Sequence, residues 1–171
     1  MKKVLSVLMV FCLIFSLCAC DFANDIVDST LNIKAKSKTF EFDGLSIELT
    51  TDFLRMDFVS DDYDFAVGTE TLTLMGMKIV HTETDLGELP VIEFAKNYRS
   101  LMLESNPTAV TEIDGIPTMQ YTAGEEGEKQ TIAVMFYKND DCFWVLCFGA
   151  SSEDFNEEYD NICKYAKTVK C

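Results

Sequence analysis

Along residues 38–50, apolar and polar side chains alternate in two runs about a two-residue break. Phe40 and Phe42 alternate with Thr39 and Glu41; after Asp43-Gly44, Leu45, Ile47 and Leu49 alternate with Ser46, Glu48 and Thr50. A period of two interrupted by Asp-Gly predicts a half-buried β-hairpin. Further strand patterns follow at Phe65–Gly68, 71–75 and 77–82, with Gly76 expected as a bulge or break between the last two. Over 88–105 the period changes: Val91, Phe94, Ala95, Tyr98, Leu101 and Met102 recur at three- and four-residue spacing. Pro90 suits the first turn of this amphipathic helix and Asn106-Pro107 stops it. Four more strands are predicted at 109–113, 117–123, 129–137 and 142–149, joined by Asp114-Gly115, the acidic 125–127 stretch and Asn139-Asp140-Asp141. Connections this short imply antiparallel neighbours.

The last two strands are apolar on both sides. Ile132, Val134 and Phe136 back onto Ala133, Met135 and Tyr137, and Trp144, Leu146 and Phe148 back onto Phe143, Val145 and Cys147. Such strands are covered on both faces. A final helix over 153–170 gathers Phe155, Tyr159, Ile162, Cys163, Ala166 and Val169 on one side, with acids in its first turns and Lys164, Lys167 and Lys170 near its end, matching the helix dipole. The order of elements predicts an α+β fold in which an antiparallel sheet is covered by helices on both faces.

Ahead of this pattern lies a different one. Lys2 and Lys3 precede an uncharged apolar run, Val4 to Leu17, followed by Leu17-Cys18-Ala19-Cys20. This resembles the bacterial lipobox, which implies that residues 1–19 are a lipoprotein signal peptide and that the Cys20 thiol carries a diacylglyceryl group. A retained membrane span is the competing reading, but a span needs about 20 apolar residues and Asp21, Asn24, Asp25 and Asp28 follow at once. Two acyl chains, at about 0.8 kcal/mol per buried methylene, hold a protein at a membrane where one does not. Residues 20–37 read as the lipidated cysteine and a polar tether spanning roughly 20–25 Å, with a short docking helix through Ile26, Val27, Leu31 and Ile33 as the alternative. The domain proper is expected over 38–171.

Charge narrows the partners. The full chain carries 14 basic and 29 acidic residues, and loss of the two signal lysines leaves a formal charge of −17. Nucleic acid is not an expected partner for so acidic a chain, and neither are anionic headgroups. Contact with the cell membrane is therefore expected through Cys20 alone, on the extracytoplasmic face. In an oxidising compartment Cys142, Cys147, Cys163 and Cys171 could form disulfides, with three connectivities open; buried free thiols are the alternative.

The stretches FEFDGLSIELTTDF, EFAKNYRSLM, EIDGIPTMQYTA and CFWVLCFGASSEDFNEEYDNICKYAKTVK resemble the PsbP-like group of small α/β/α sandwich domains, particularly bacterial lipoproteins of that type, over roughly residues 38–170. The resemblance rests on packing and turn signatures. It implies an accessory role without catalysis, since the name-giving members are non-catalytic subunits of a photosynthetic complex. It carries no metal or catalytic motif onto this sequence.

Side chains with reactive chemistry are few. His81 is the single histidine, and it falls in a predicted strand with no nucleophile-elbow, zincin or P-loop spacing anywhere in the chain. Asp57, Asp61, Asp62 and Asp64 supply clustered oxygen ligands that would suit calcium, although they lack the EF-hand order. Met56, Met75, Met77, Met102, Met119 and Met135 could line an adaptable pocket or simply fill a core, and Trp144 could be a binding platform or a core residue. No cofactor is expected. The sequence thus points to a membrane-anchored accessory or interaction domain with a protein partner in the cell envelope; a small-ligand or cation-binding lipoprotein is the alternative, and an enzyme the third.

Overall fold

A computed structural model describes residues 36–57, 62–81, 86–125 and 128–171. Strands β1 (Ser37–Phe42) and β2 (Leu45–Thr50) form the expected hairpin, pairing Phe40 with Ile47 and Phe42 with Leu45. The hairpin is a separate two-stranded sheet. The remaining strands are β3 (Leu54–Arg55), β4 (Phe65–Gly68), β5 (Leu72–Val80), β6 (Thr111–Ile113), β7 (Ile116–Ala123), β8 (Gln130–Lys138) and β9 (Cys142–Ser151). They build one antiparallel sheet in the order β3-β4-β5-β9-β8-β7-β6. Helices α1 (Val91–Leu101) and α2 (Phe155–Ala166) complete an α+β architecture.

The doubly apolar strands lie where their sequence requires. β9 is central, between β5 and β8, and its residues 142–150 are all buried. Alternate residues of β8 and β9 enter two distinct apolar clusters. Met135, Trp144, Leu146 and Phe148 pack with Phe42, Ile47 and Leu49 of the hairpin and with Phe155, Ile162 and Ala166 of α2. Val134, Phe136, Phe143 and Val145 pack with Phe94 and Ala95 of α1. Phe94 stacks on Phe143 with ring centroids 4.1 Å apart.

Several boundaries differ from the sequence expectation. Gly76 neither bulges nor breaks: β5 runs through it, in register with Phe65 on β4 and Leu146 on β9. A β-carbon at Gly76 would collide with the edge of the Phe65 ring, so this glycine makes room for an aromatic neighbour. At Asp114-Gly115, φ values of 52° and 82° make the tight β6–β7 turn that a right-handed strand twist favours. α1 is shorter than expected, ending at Leu101 and tightening into a 3₁₀ turn at Leu103–Ser105. Asn106 then adopts φ 47°, ahead of Pro107, which disfavours the right-handed helical region in the residue before it. Arg99 fixes this exit by donating to the carbonyls of Thr108 (2.6 Å) and Pro107 (3.0 Å).

The last helix also stops short of its expected end. Lys170 forms a β-bridge with Ser46, exchanging backbone bonds of 2.8 and 2.9 Å. Thr168 Oγ1 accepts from Glu48 N (2.9 Å) and donates to Tyr165 O (2.7 Å). These bonds to β2 satisfy backbone groups that further helix would otherwise have bonded internally.

Candidate functional site

The acidic stretch is put to structural use. Asp64 Oδ2 accepts from the backbone N–H of Lys78 at 2.6 Å, and Asp64 N donates to Gly76 O at 2.9 Å, so Asp64 fastens the entry to β4 onto β5. Asp57 and Asp62 are described, whereas Asp61 lies outside the described residues. Among the described residues no group of three His, Cys, Asp or Glu side chains is arranged to hold a metal ion. Cys20 and the tether up to residue 35 also lie outside the described residues.

His81 is bound to backbone. Its Nδ1 lies 3.1 Å from Asp140 O, its N donates to Asp141 O (2.9 Å), and its ring meets Phe143 edge-on at 4.9 Å. The histidine joins the end of β5 to the β8–β9 turn. Trp144 is fully buried beneath the hairpin, 6.0 Å from Phe65, and presents no platform to solvent. Met75, Met119 and Met135 are likewise fully buried, with Met135 in the α2 cluster and the other two in the α1 cluster. They fill the core.

All four cysteines of the final thirty residues stand as free thiols. Cys142 and Cys147 enter opposite clusters from one strand, as their odd separation dictates. Burial pushes the Cys147 thiol up to about 12, and pushes the Tyr63, Tyr98 and Tyr121 phenols, gathered around it in the α1 cluster, well above their ordinary value. Thiolate is the species that reacts, so Cys147 is inert while the fold is intact. In reduced native protein at about pH 8, Cys171 is expected to alkylate at least about 100-fold faster than Cys147, which should react only in denaturant. Equal labelling of the two in native protein, resolved by peptide mass mapping, would contradict the burial described.

Two surface features remain as functional candidates. One is a groove of about 640 Å³ between the end of the hairpin, the β4–β5 turn and α2, lined by Lys36, Thr50, Asp52, Thr71, Glu158 and Tyr165 among others. Its polar groups bond one another: Thr71 Oγ1 donates to Glu158 (2.7 Å), Asn161 Nδ2 donates to Glu158 (3.2 Å), and the Thr50 and Tyr165 hydroxyls lie 3.2 Å apart. This is hydrogen-bonding surface, suited to a polar ligand or a peptide backbone. The periodicity of Glu158, Asn161 and Tyr165 on one side of the final helix was its only sequence signal. The second feature is apolar: Leu101 and Leu103, 74% and 62% exposed, project where α1 ends. Helical spacing assigns Leu101 to the buried stripe, but as the last residue of α1 it faces solvent while the adjacent Met102 is buried.

Among solved structures, the chain is similar to cyanobacterial PsbP (CyanoP) from Synechocystis sp. PCC 6803, with a TM-score of 0.50 at 9% identity over 84% of this chain and 98% of that one. The fold is PsbP-like. A crystal structure from Bacteroides thetaiotaomicron VPI-5482 is similar with a TM-score of 0.52 at 11% identity, over 75% of this chain and 45% of that one. The chain therefore spans less than half the length of the Bacteroides protein. No family model matches the sequence, and no curated protein matches it. At such identities the likeness concerns the fold alone. No helix among the described residues is long and apolar enough to cross a membrane.

Proposed function

We propose that this protein is an extracytoplasmic lipoprotein whose PsbP-like domain serves as a non-catalytic accessory or interaction module at the membrane surface. The observation that carries the reading is the Val4 to Leu17 apolar run ending in Leu17-Cys18-Ala19-Cys20. Lys36 O accepts from Thr51 N (2.9 Å), so the tether would enter the domain beside the polar groove. With a formal charge of −17 after cleavage, the domain would stand off an anionic bilayer and meet its partners from solution. The exposed Leu101 and Leu103 fit contact with a protein better than contact with a small polar solute. As part of this reading we take the sheet to be layered between α1 on one face and the hairpin with α2 on the other, which the two separate apolar clusters support.

Intact mass of the protein extracted in detergent from its native membrane tests the anchor. Residues 20–171 plus diacylglycerol are expected. Cys20→Ser should abolish the lipid mass and, because cleavage follows lipidation, should leave residues 1–19 attached. Wild-type protein recovered from the membrane without the lipid mass and with residues 1–19 still attached would overturn the lipoprotein reading in favour of a retained span.

A further inference from the structure

The folded chain favours one pair among the four cysteines and leaves the other two apart. Cys147 lies in the α1 cluster, across the sheet from Cys142. Cys163, on α2, has Tyr159, Asp160, Lys167 and Asp114 as its electrostatic neighbours; it shares the neighbourhood of Tyr137 with Cys171, but the thiol that neighbours Cys171 directly is Cys142. Cys142 and Cys171 instead converge on the β1–β2 turn. The Ser46–Lys170 bridge carries the chain to that turn, where Cys171 lines a shallow groove of about 480 Å³ together with Asp43, Gly44 and Leu45. Lys78 Nζ pins the same turn from below, donating to Asp43 Oδ2 (2.7 Å) and Asp43 O (3.2 Å). Lys78 pairs with Trp144 on β9, two residues from Cys142, and Cys142 shares its apolar cluster with Phe42 and Leu45.

We propose that Cys142 and Cys171 form a disulfide when the protein meets an oxidising environment, fastening the 168–171 segment and α2 to the β8–β9 corner of the sheet. The two thiols are electrostatic neighbours: Cys142 adds to the burial that pushes the Cys171 thiol up. At Cys142 burial also raises the thiol, and the Lys78 ammonium opposes it. With a low-molecular-weight disulfide as oxidant, the exposed Cys171 thiolate attacks first and releases one small thiol, leaving a mixed disulfide. The Cys142 thiolate then displaces the second small thiol. Two protein thiols are thereby oxidised, one small disulfide is reduced to two thiols, and the ring closed spans about 30 residues. Cys147 and Cys163 remain free. That the protein meets such an oxidant in the cell rests on the extracytoplasmic placement proposed above.

The full-length protein, equilibrated in oxidised and reduced glutathione, trapped with acid, alkylated and digested without reduction, tests the pairing. A Cys142–Cys171 linked peptide is expected, accompanied by a rise of about 10 °C in Tm over the reduced protein. The link should disappear in Cys142→Ser and in Cys171→Ser, the second of which changes only an exposed side chain and keeps the fold intact. Separate alkylation of both thiols, glutathione held on Cys171 alone, or a link through Cys163 or Cys147 would each overturn the proposal. The same mapping on cells alkylated at lysis separates the two readings. A pair that is reduced in cells yet closes with glutathione upholds the pairing and counts against the extracytoplasmic placement.

Discussion

Between about pH 10 and pH 11.5 the protein is expected to unfold in a single steep transition in which phenolate absorbance and loss of circular dichroism coincide. Burial holds the phenols of Tyr63, Tyr98, Tyr121 and Tyr137 above their ordinary value of 10.0, and holds the Cys147 thiol at about 12 against an ordinary 9.0. Once the pH passes these ordinary values, the unfolded chain releases protons that the native state retains. The native state then binds more protons than the unfolded one, so stability falls as pH rises. Below about pH 8 all five groups are protonated in both states and the contribution is fully present. Above that, each group removes about 1.4 kcal/mol per pH unit beyond its unfolded pKa. By pH 11 the summed loss reaches up to about 8 kcal/mol, comparable to the 5–15 kcal/mol net stability of an ordinary domain. Phenolate absorbance that rises near pH 10 while circular dichroism stays native would show that these tyrosines are solvated.

Replacing Gly76 by alanine is expected to destabilise the fold by about 2–3 kcal/mol, lowering Tm by roughly 10 °C. The added methyl group would enter the space of the Phe65 ring. That ring has nowhere to go, because it stacks on Phe42 with centroids 3.6 Å apart and leans on Trp144 at 6.0 Å. Overpacking of this kind displaces the hairpin, whose Phe42 caps the stack, rather than a single side chain. Phe65→Leu should relieve much of the clash, so that the double variant loses clearly less stability than the two single losses combined. Urea midpoints of the four proteins measure the coupling. Gly76→Ala within 0.5 kcal/mol of the parent would mean that β4 and β5 separate with little resistance, contrary to the packing described.

The same position shows what a sequence pattern conveys and what it conceals. Glycine in a strand signals either a bulge or a close approach, and the two have one spelling. The ring of Phe65, eleven residues away, decides between them. The end of the last helix is similar: Lys167, Thr168, Val169 and Lys170 continue a helical period and a favourable charge gradient, yet Thr168 and Lys170 bond to β2, more than 115 residues earlier in the chain. Local propensity is worth tenths of a kcal/mol per residue, and several well-placed tertiary hydrogen bonds outweigh it. His81 and Asp64 reverse the lesson. They are residue types that invite chemistry, and their neighbours turn them into ties between backbone segments.

The sequence by itself determined the hairpin with its Asp-Gly turn, the antiparallel meander, the two amphipathic helices and the burial of β8 and β9 on both sides. Each follows from a period of 2 or 3.6 in side-chain polarity, or from turn residues that admit few backbone conformations. Tertiary structure alone decided that β9 lies between β5 and β8, that the hairpin stands apart from the main sheet, that Leu101 faces solvent and that the end of the chain bridges back to the hairpin at Ser46. Periodicity states that a face must be covered. Which face covers it depends on shape complementarity among segments distant in sequence, and the apolar residues that meet there carry no mark of their partner.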